Sequence, residues 1–323
     1  MYKRQVSVII PVYKVEKYIE RCARSLFEQT LESIEFIFVD DCSPDQSIKI
    51  LQSVLQEYPH RTPHTKIIRH ERNRGLAAAR NTGRACAQGK YIIDCDSDDW
   101  VVPDMYKQLY LRAQKDNADI VICDWNEVYP ATTKYVQVNP STNNLDCVIA
   151  LLSGKMHGSV WNKLIRKDLY EKHNICCTEG INLLEDLSVT YRLFYFAKSI
   201  SYINKPLYNY FKGNINSYTT VYLNEQSQNG MIKLTTQIQD FFNKENIKSP
   251  QLNQALTFFK LSVKAAILLN GKPIIDLSNF CNQYSLKDIS SHPALSLAFK
   301  MALILKYIHF NNGIKLLRLL KRF

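Results

Sequence analysis

Four short apolar runs, each separated from the next by a segment of helical periodicity, fill the first hundred residues of this chain. Val6 to Ile10 closes at Pro11, Ile34 to Val39 runs into Asp40, and Lys66 to Arg69 and Lys90 to Asp94 follow. Between them, Ile19, Cys22, Ala23 and Leu26 recur at helical spacing within Val15 to Phe27. A second helix, with Ile48, Leu51, Val54 and Leu55 on one face, runs to about Glu57 and can take Ser43 or Asp45 as its cap. Gly75 to Ala87 reads as a third. Runs that are apolar throughout, rather than alternating, suit strands buried on both faces. The βαβαβαβ order then implies right-handed crossovers and a parallel sheet, whose ligands bind outside the carboxyl ends of the strands.

Past residue 100 the spacing predicts a helix over 103–116 that opens on a proline, a strand over 118–123, and strand and loop material over 125–142. Short helices are expected over 146–153, 166–173 and 186–197, and one or two strands over 200–211. From Asn224 the pattern turns helical, first through Ile232, Thr235, Ile238, Phe241 and Phe242, then through Leu256, Phe259, Val263, Ala266 and Leu269. A boundary near residue 220 would divide an α/β domain (1–220) from a helical C-terminal region (221–323).

What the strand ends carry decides the chemistry. Neither G-x-G-x-x-G nor G-x-x-x-x-G-K-[ST] follows the first strand, so dinucleotide and P-loop readings lack their main support. In their place stand Pro11-Val12-Tyr13, Asp40-Asp41-Cys42-Ser43, Asn73-Arg74-Gly75 and the knot Asp94-Cys95-Asp96-Ser97-Asp98-Asp99. Four carboxylates in six residues repel one another unless a cation joins them, and a hard divalent ion takes oxygen ligands of this kind.

The blocks V-S-V-I-I-P-V-Y, F-I-F-V-D-D-C-S-P-D, N-R-G-L-A-A-A-R-N and D-S-D-D-W-V-V-P-D, in that order, resemble the successive motifs of the family 2 glycosyltransferases over roughly residues 5 to 215. That resemblance implies a GT-A-like (Rossmann-like) mostly parallel sheet flanked by helices, and an inverting, metal-dependent transfer of a sugar from a UDP-sugar to a glycan or lipid-linked acceptor. By the same similarity Pro11, Val12 and Tyr13 lie against the nucleoside and Asp40 meets the uracil or ribose. Asp96 and Asp98 match the D-x-D that holds Mn²⁺ or Mg²⁺ on the diphosphate. Arg80 is placed toward the nucleotide, with Arg72 and Arg74 as alternatives. Asp186, some ninety residues on, matches the general base, with Glu185 beside it orienting backbone or acceptor. A helix-capping role for both acids is the competing reading. Trp161 and Lys163 fall in the family's W-N-K-L block and read equally as acceptor-side or core residues. The stretch Tyr208 to Thr219, with Asn214 and Ser217, resembles the block that closes over the diphosphate. Two departures stand out: Cys42 where the family commonly has glycine, and Asp94 where it has an apolar residue.

Charge and cysteine content add context. The net charge is +11, and after Asp288 the chain holds no acid while Lys300, Lys306, Lys315, Arg318, Lys321 and Arg322 recur among apolar residues. A last helix with Ile314, Leu317, Leu320 and Phe323 on one face would suit peripheral contact with an anionic membrane, or a partner subunit in a homo-oligomer. Nine cysteines without a C-x-x-C pair fit reduced thiols, and the N-terminal apolar run is too short for a span, so a cytoplasmic protein, at the inner membrane face, is expected. Two rival functions remain at this level. A nucleotidyltransferase is opposed by Pro11-Val12-Tyr13-Lys14 where its glycine- and arginine-rich loop would lie. A basic binding module for nucleic acid or acidic glycan is opposed by the strand-end carboxylates, and no nucleic-acid partner is expected.

Overall fold

The computed structural model describes residues 4–181, 183–214, 223–270, 277 and 280–320. In chain order its elements are β1 (Arg4–Val12), α1 (Ile19–Phe27), β2 (Ile34–Asp40), α2 (Ser47–Glu57), β3 (Thr65–Arg69), α3 (Leu76–Ala85), β4 (Gly89–Asp94), β5 (Trp100–Val101), α4 (Met105–Lys115), β6 (Ile120–Val128), β7 (Thr133–Val136), α5 (Asn144–Leu152), β8 (Lys163–Arg166), α6 (Lys167–Lys172), α7 (Leu187–Phe196) and β9 (Ile200–Phe211). The helices α8 (Glu225–Lys244), α9 (Pro250–Asn270), α10 (Leu286–Ser291), α11 (Leu297–Tyr307) and α12 (Asn311–Leu320) follow. The chain divides into two compact units, one drawn from 1–145, 158–179 and 185–215, the other from 146–157, 180–184 and 216–323.

The first unit is built on one sheet of order β3-β2-β1-β4-β8-β6-β9-β5, with β7 added to β6. β3, β2, β1 and β4 are parallel, as the alternating pattern requires, and their apolar runs are buried: Val8, Ile9, Ile10, Phe36, Ile37, Phe38 and Ile93 are fully inaccessible. β8 is antiparallel to both β4 and β6 and joins the parallel half to the rest. Close packing of α3 on the sheet depends on Gly83, where an added Cβ would run into the Ile9 side chain.

Local differences from the expected elements have physical causes. Helix α1 begins only at Ile19, because Lys14 takes a positive φ of 55° and the turn after it is tied down from the next crossover. The Lys14 amide donates to Ser43 Oγ (2.8 Å), Val15 N to Ser47 Oγ (3.1 Å) and Glu16 N to Asp45 Oδ2 (3.0 Å). Ser43 therefore serves the β1–α1 loop rather than the start of α2, whereas Asp45 also accepts the Ser47 amide at 3.1 Å. Cys42 has φ 58°, a left-handed conformation that glycine adopts without steric cost, which accounts for the family's glycine at this position. The 200–211 segment is one strand, and β6 reaches Val128 with register shifts around Asp124.

The second unit is helical. Met231, Leu234, Ile238 and Phe242 of α8 are buried, as are Leu252, Leu256, Phe259, Val263 and Leu269 of α9. α9 is long and apolar enough, by length and composition, to cross a membrane, yet 67% of that stretch is buried within the protein.

Candidate active site

The parallel strands end side by side. Register pairs Val12 with Asp40 and Ile9 with Asp94, so the loops after β1, β2 and β4 share one sheet edge. Val12 itself is fully buried and its carbonyl accepts the Asp41 amide at 3.0 Å. Tyr13, half-buried just beyond, is therefore the side chain this loop presents, whereas Pro11 and Val12, which the sequence placed with it against the nucleoside, are buried. Asp40 is buried, accepts the Ser43 amide at 2.7 Å and lies 3.3 Å from Arg69 Nε.

Its neighbour Asp41, which the sequence did not single out, shapes the next loop. One carboxylate oxygen takes the Arg74 amide (2.8 Å) and bonds His70 Nδ1 (2.7 Å), while the other takes the Gly75 amide (2.8 Å). His70 Nε2 in turn reaches Thr82 Oγ1 at 2.9 Å. Gly75 has φ 88° and ψ 164°, which a side chain tolerates poorly, so glycine is needed to turn the chain into α3.

From α3 a single guanidinium joins two acidic segments far apart in sequence. Arg80, 1% exposed, donates from Nη2 to Asp96 Oδ1 (2.8 Å) and from Nη1 to both Glu185 and Asp186, and its Nε lies 3.3 Å from Asp94. One turn along the same helix face, Arg84 Nη2 holds both oxygens of Asp94 at 3.0 Å. Asp94, unexplained by the sequence, is thus a buried and doubly paired acid. Arg80 belongs to this carboxylate cage: both of its Nη nitrogens are committed to carboxylates and its surface is inaccessible, so it stands in ion pairs where the sequence reading had placed it toward the nucleotide.

The remaining acids are placed by β9. Asp99 accepts from Tyr208 Oη (2.7 Å) and the Phe211 amide (2.7 Å), and the Asp96 amide donates to the same Tyr208 hydroxyl (3.1 Å). Asp98 accepts from Asn214 Nδ2 at 2.8 Å, and its backbone carbonyl accepts from Arg21, whose guanidinium lies over Trp100, 3.7 Å from the ring centroid. Ser217 lies outside the described residues. Trp161 is 3% exposed and stacks on Tyr208 with ring centroids 4.3 Å apart. Lys163, 1% exposed, donates to Ser159 O (2.6 Å) and Asn162 Oδ1 (2.8 Å). By burial both belong to the core, the second of the two readings the sequence left open.

Six carboxylates (Asp94, Asp96, Asp98, Asp99, Glu185, Asp186) thus gather with three guanidinium groups (Arg21, Arg80, Arg84). Burial pushes Asp96 up to about 7 against the pull of Arg80, and neighbouring Asp186, Asp98 and Asp94 add to the rise. Asp186 also rises to about 7, from burial opposed by Arg80 and reinforced by Glu185. Asp98, Asp99 and Glu185 shift upward as well, burial being the largest cause in each. Burial works against the Arg80 charge, but Asp186, Asp96, Glu185 and Asp94 outweigh it. Asp186 precedes α7 yet makes no side-chain capping bond to it, so the helix-cap reading gives way to the ion pair.

The donor set suits a hard cation only in part supplied by protein. Asp96 and Asp98 are two turn-separated carboxylates, with the Asp96 side chain 27% exposed, and no group of three or more His, Cys, Asp or Glu ligands forms among the described residues. Mg²⁺ and similar ions accept one or two carboxylates completed by phosphate oxygens and water, so the residues fit.

Comparison with known proteins identifies the family and the fold. The family model for glycosyl transferase family 2 matches residues 7–173. EpsH of Bacillus subtilis (strain 168), a relative that carries a glycosyltransferase name, is 33% identical over 272 residues, spanning 82% of this chain and 76% of its own. Among solved structures, residues 1–349 of TarS from S. aureus in complex with UDP-GlcNAc superpose with a TM-score of 0.70 at 22% identity, covering 98% of this chain and 91% of that one. The mannosyltransferase PcManGT of Pyrobaculum calidifontis, solved with GDP-Man and Mn²⁺, superposes with a TM-score of 0.50 at 14% identity, over 98% and 84% of the two chains. The sheet is that of the GT-A fold, and the chain belongs to the family 2 glycosyltransferases.

Proposed function

We propose that this glycosyltransferase moves a sugar from a UDP-sugar to a hydroxyl of a glycan or lipid-linked acceptor, with inversion at the anomeric carbon. The observation that carries the proposal is the Arg80 cage, which joins the Asp96 end of β4 to Asp186 before α7 in one buried cluster. Membership of the family decides against the nucleotidyltransferase and the basic binding module.

Tyr13 and Asp40 would face the nucleoside at the shared sheet edge, and Asp96 and Asp98 would hold Mn²⁺ or Mg²⁺ against the diphosphate. When bound, the ion would neutralise charge that develops on the departing phosphate. Asp186 would act as general base. As the acceptor oxygen bonds to the anomeric carbon and the bond from that carbon to UDP breaks, the hydroxyl proton passes to the Asp186 carboxylate. A base with its pKa near 7 is matched to proton transfer at neutral pH. Glu185, on the same Arg80 nitrogen, would hold that guanidinium in place. TarS, solved with UDP-GlcNAc, supports the choice of a UDP donor, and PcManGT, solved with Mn²⁺, supports the choice of metal. Surface polysaccharide synthesis on the cytoplasmic side of a membrane is the setting we infer.

Thermal unfolding tests this reading. UDP with Mn²⁺ should stabilise the protein, by about 2.7 kcal/mol at a hundredfold excess over Kd. The stabilisation should vanish without the metal or in Asp98→Ala, and no response to UDP with Mn²⁺ would overturn the assignment.

A further inference from the structure

Of the face that the sequence suggested for membrane contact, the Leu320 side chain and Phe323, with Lys321 and Arg322, lie outside the described residues. On α12, Ile314 is 3% exposed, and Arg318 is spent on the Leu268 carbonyl of α9 at 2.5 Å. Ile314 is thus turned into the helical unit, and Leu317 is half-buried.

The preceding helix does the opposite. On α11, Ala302 and Leu303 are fully buried, whereas Leu297 is 75%, Met301 42% and Ile304 38% exposed, and Ile308 just past the helix end is 57% exposed. Positions 297, 301, 304 and 308 fall on one narrow stripe of a helix with 3.6 residues per turn, opposite the buried pair. A solvated helix normally carries polar residues there. Phe310 (54%) and Leu316 (58%) expose further apolar surface along the turn into α12.

We infer that this α11 stripe, with Phe310, is a docking surface for an anionic lipid bilayer. Charge selects the occupant. Lys300 lies within the span of the stripe, its Nζ donating to the Ser290 carbonyl at 2.8 Å, Lys315 follows exposed on α12, and residues 289–323 hold no acid at all. A second copy meeting this face symmetrically would bring like charges together, which opposes self-association. A nucleic acid would leave the apolar stripe without a partner. A leaflet of anionic headgroups over acyl chains satisfies both parts, with the apolar side chains entering the interface and the lysines at headgroup level. The surface lies wholly in the helical unit, so the inference stands independently of the donor chemistry.

Cosedimentation of the full-length protein with vesicles tests it. The protein should pellet with phosphatidylcholine–phosphatidylglycerol vesicles, release in high salt, and stay soluble with phosphatidylcholine alone. Met301→Glu combined with Ile304→Glu alters two exposed positions and should weaken vesicle binding at least about tenfold, while the circular dichroism spectrum and UDP-dependent thermal shift remain those of the parent. Failure of the parent to pellet with anionic vesicles, or unchanged pelleting of the double variant, would overturn the inference. Light scattering that shows a dimer abolished by the double variant, with no vesicle binding by the parent, would assign the stripe to self-association instead.

Discussion

Replacing Arg80 by methionine removes the one cation that, among the described residues, is shared by Asp94, Asp96, Glu185 and Asp186, while keeping an unbranched stem of similar reach. Breaking a buried ion pair by deleting one partner costs about 3–5 kcal/mol, because the other charge is left without compensation. Here the loss should depend on pH, and the sign can be worked out. Asp96 and Asp186 already sit near 7 in the folded protein, above their unfolded value of 3.8. Their folded forms bind protons more tightly than the unfolded chain, so their contribution is present at low pH and is lost as pH rises from about 4 through 7. Arg80 holds both values down, so its removal moves them higher. Between pH 7 and 8 each carboxylate then adds about 1.4 kcal/mol per pH unit to the cost, up to about 3 kcal/mol for the pair. Urea unfolding of Arg80→Met at pH 6 and pH 8 should show a penalty at both that is larger at pH 8 by on the order of 2 kcal/mol. Arg80→Lys keeps the charge but not the planar fork, and should recover the pH dependence better than the full stability. A penalty below about 1 kcal/mol at pH 8, within the range of exposed ion pairs, would refute the cage as an energetic unit. So would a penalty that does not change with pH.

Two further outcomes follow from the same geometry. Because the carboxylates must be ionised to hold a cation, Mn²⁺ should raise the melting temperature of the nucleotide-free protein more at pH 8 than at pH 5.5, and equal shifts at both would count against Asp96 and Asp98 as ligands. Lys163→Met deletes the donor to two buried acceptors, Ser159 O and Asn162 Oδ1, and should cost about 1–3 kcal/mol in urea unfolding; donor hydrolysis per folded molecule should stay at the parent level, and a selective loss of acceptor use would restore Lys163 to the acceptor site.

What the sequence made legible was whatever depends on local periodicity and on the ends of strands. The parallel strands β1 to β4 and their crossovers followed from buried apolar runs, and with them came the shared edge bearing Tyr13, Asp40 and Asp96. The pairings across that edge were not legible, because an ion pair is set by direction in space rather than by spacing along the chain. Arg80 and Arg84 are four residues apart on one helix face, and that spacing was a usable signal that both would meet the same partner, Asp94. Nothing local showed that the Arg80 guanidinium would turn away from solvent and span 105 residues to Glu185. Tyr208 is harder still: its hydroxyl serves Asp96 and Asp99 while its ring receives Trp161, roles that exist only once β9 lies in the sheet. The W-N-K-L block, which the sequence left equally acceptor-side or core, shows what burial adds. A motif near an active site need not touch substrate, and burying Lys163 against its own turn while Trp161 stacks on Tyr208 supports the strand segment that carries the acids. The motif residues of this chain thus divide into those that stand at the shared sheet edge and those that fix where the carboxylates point, and burial separates them.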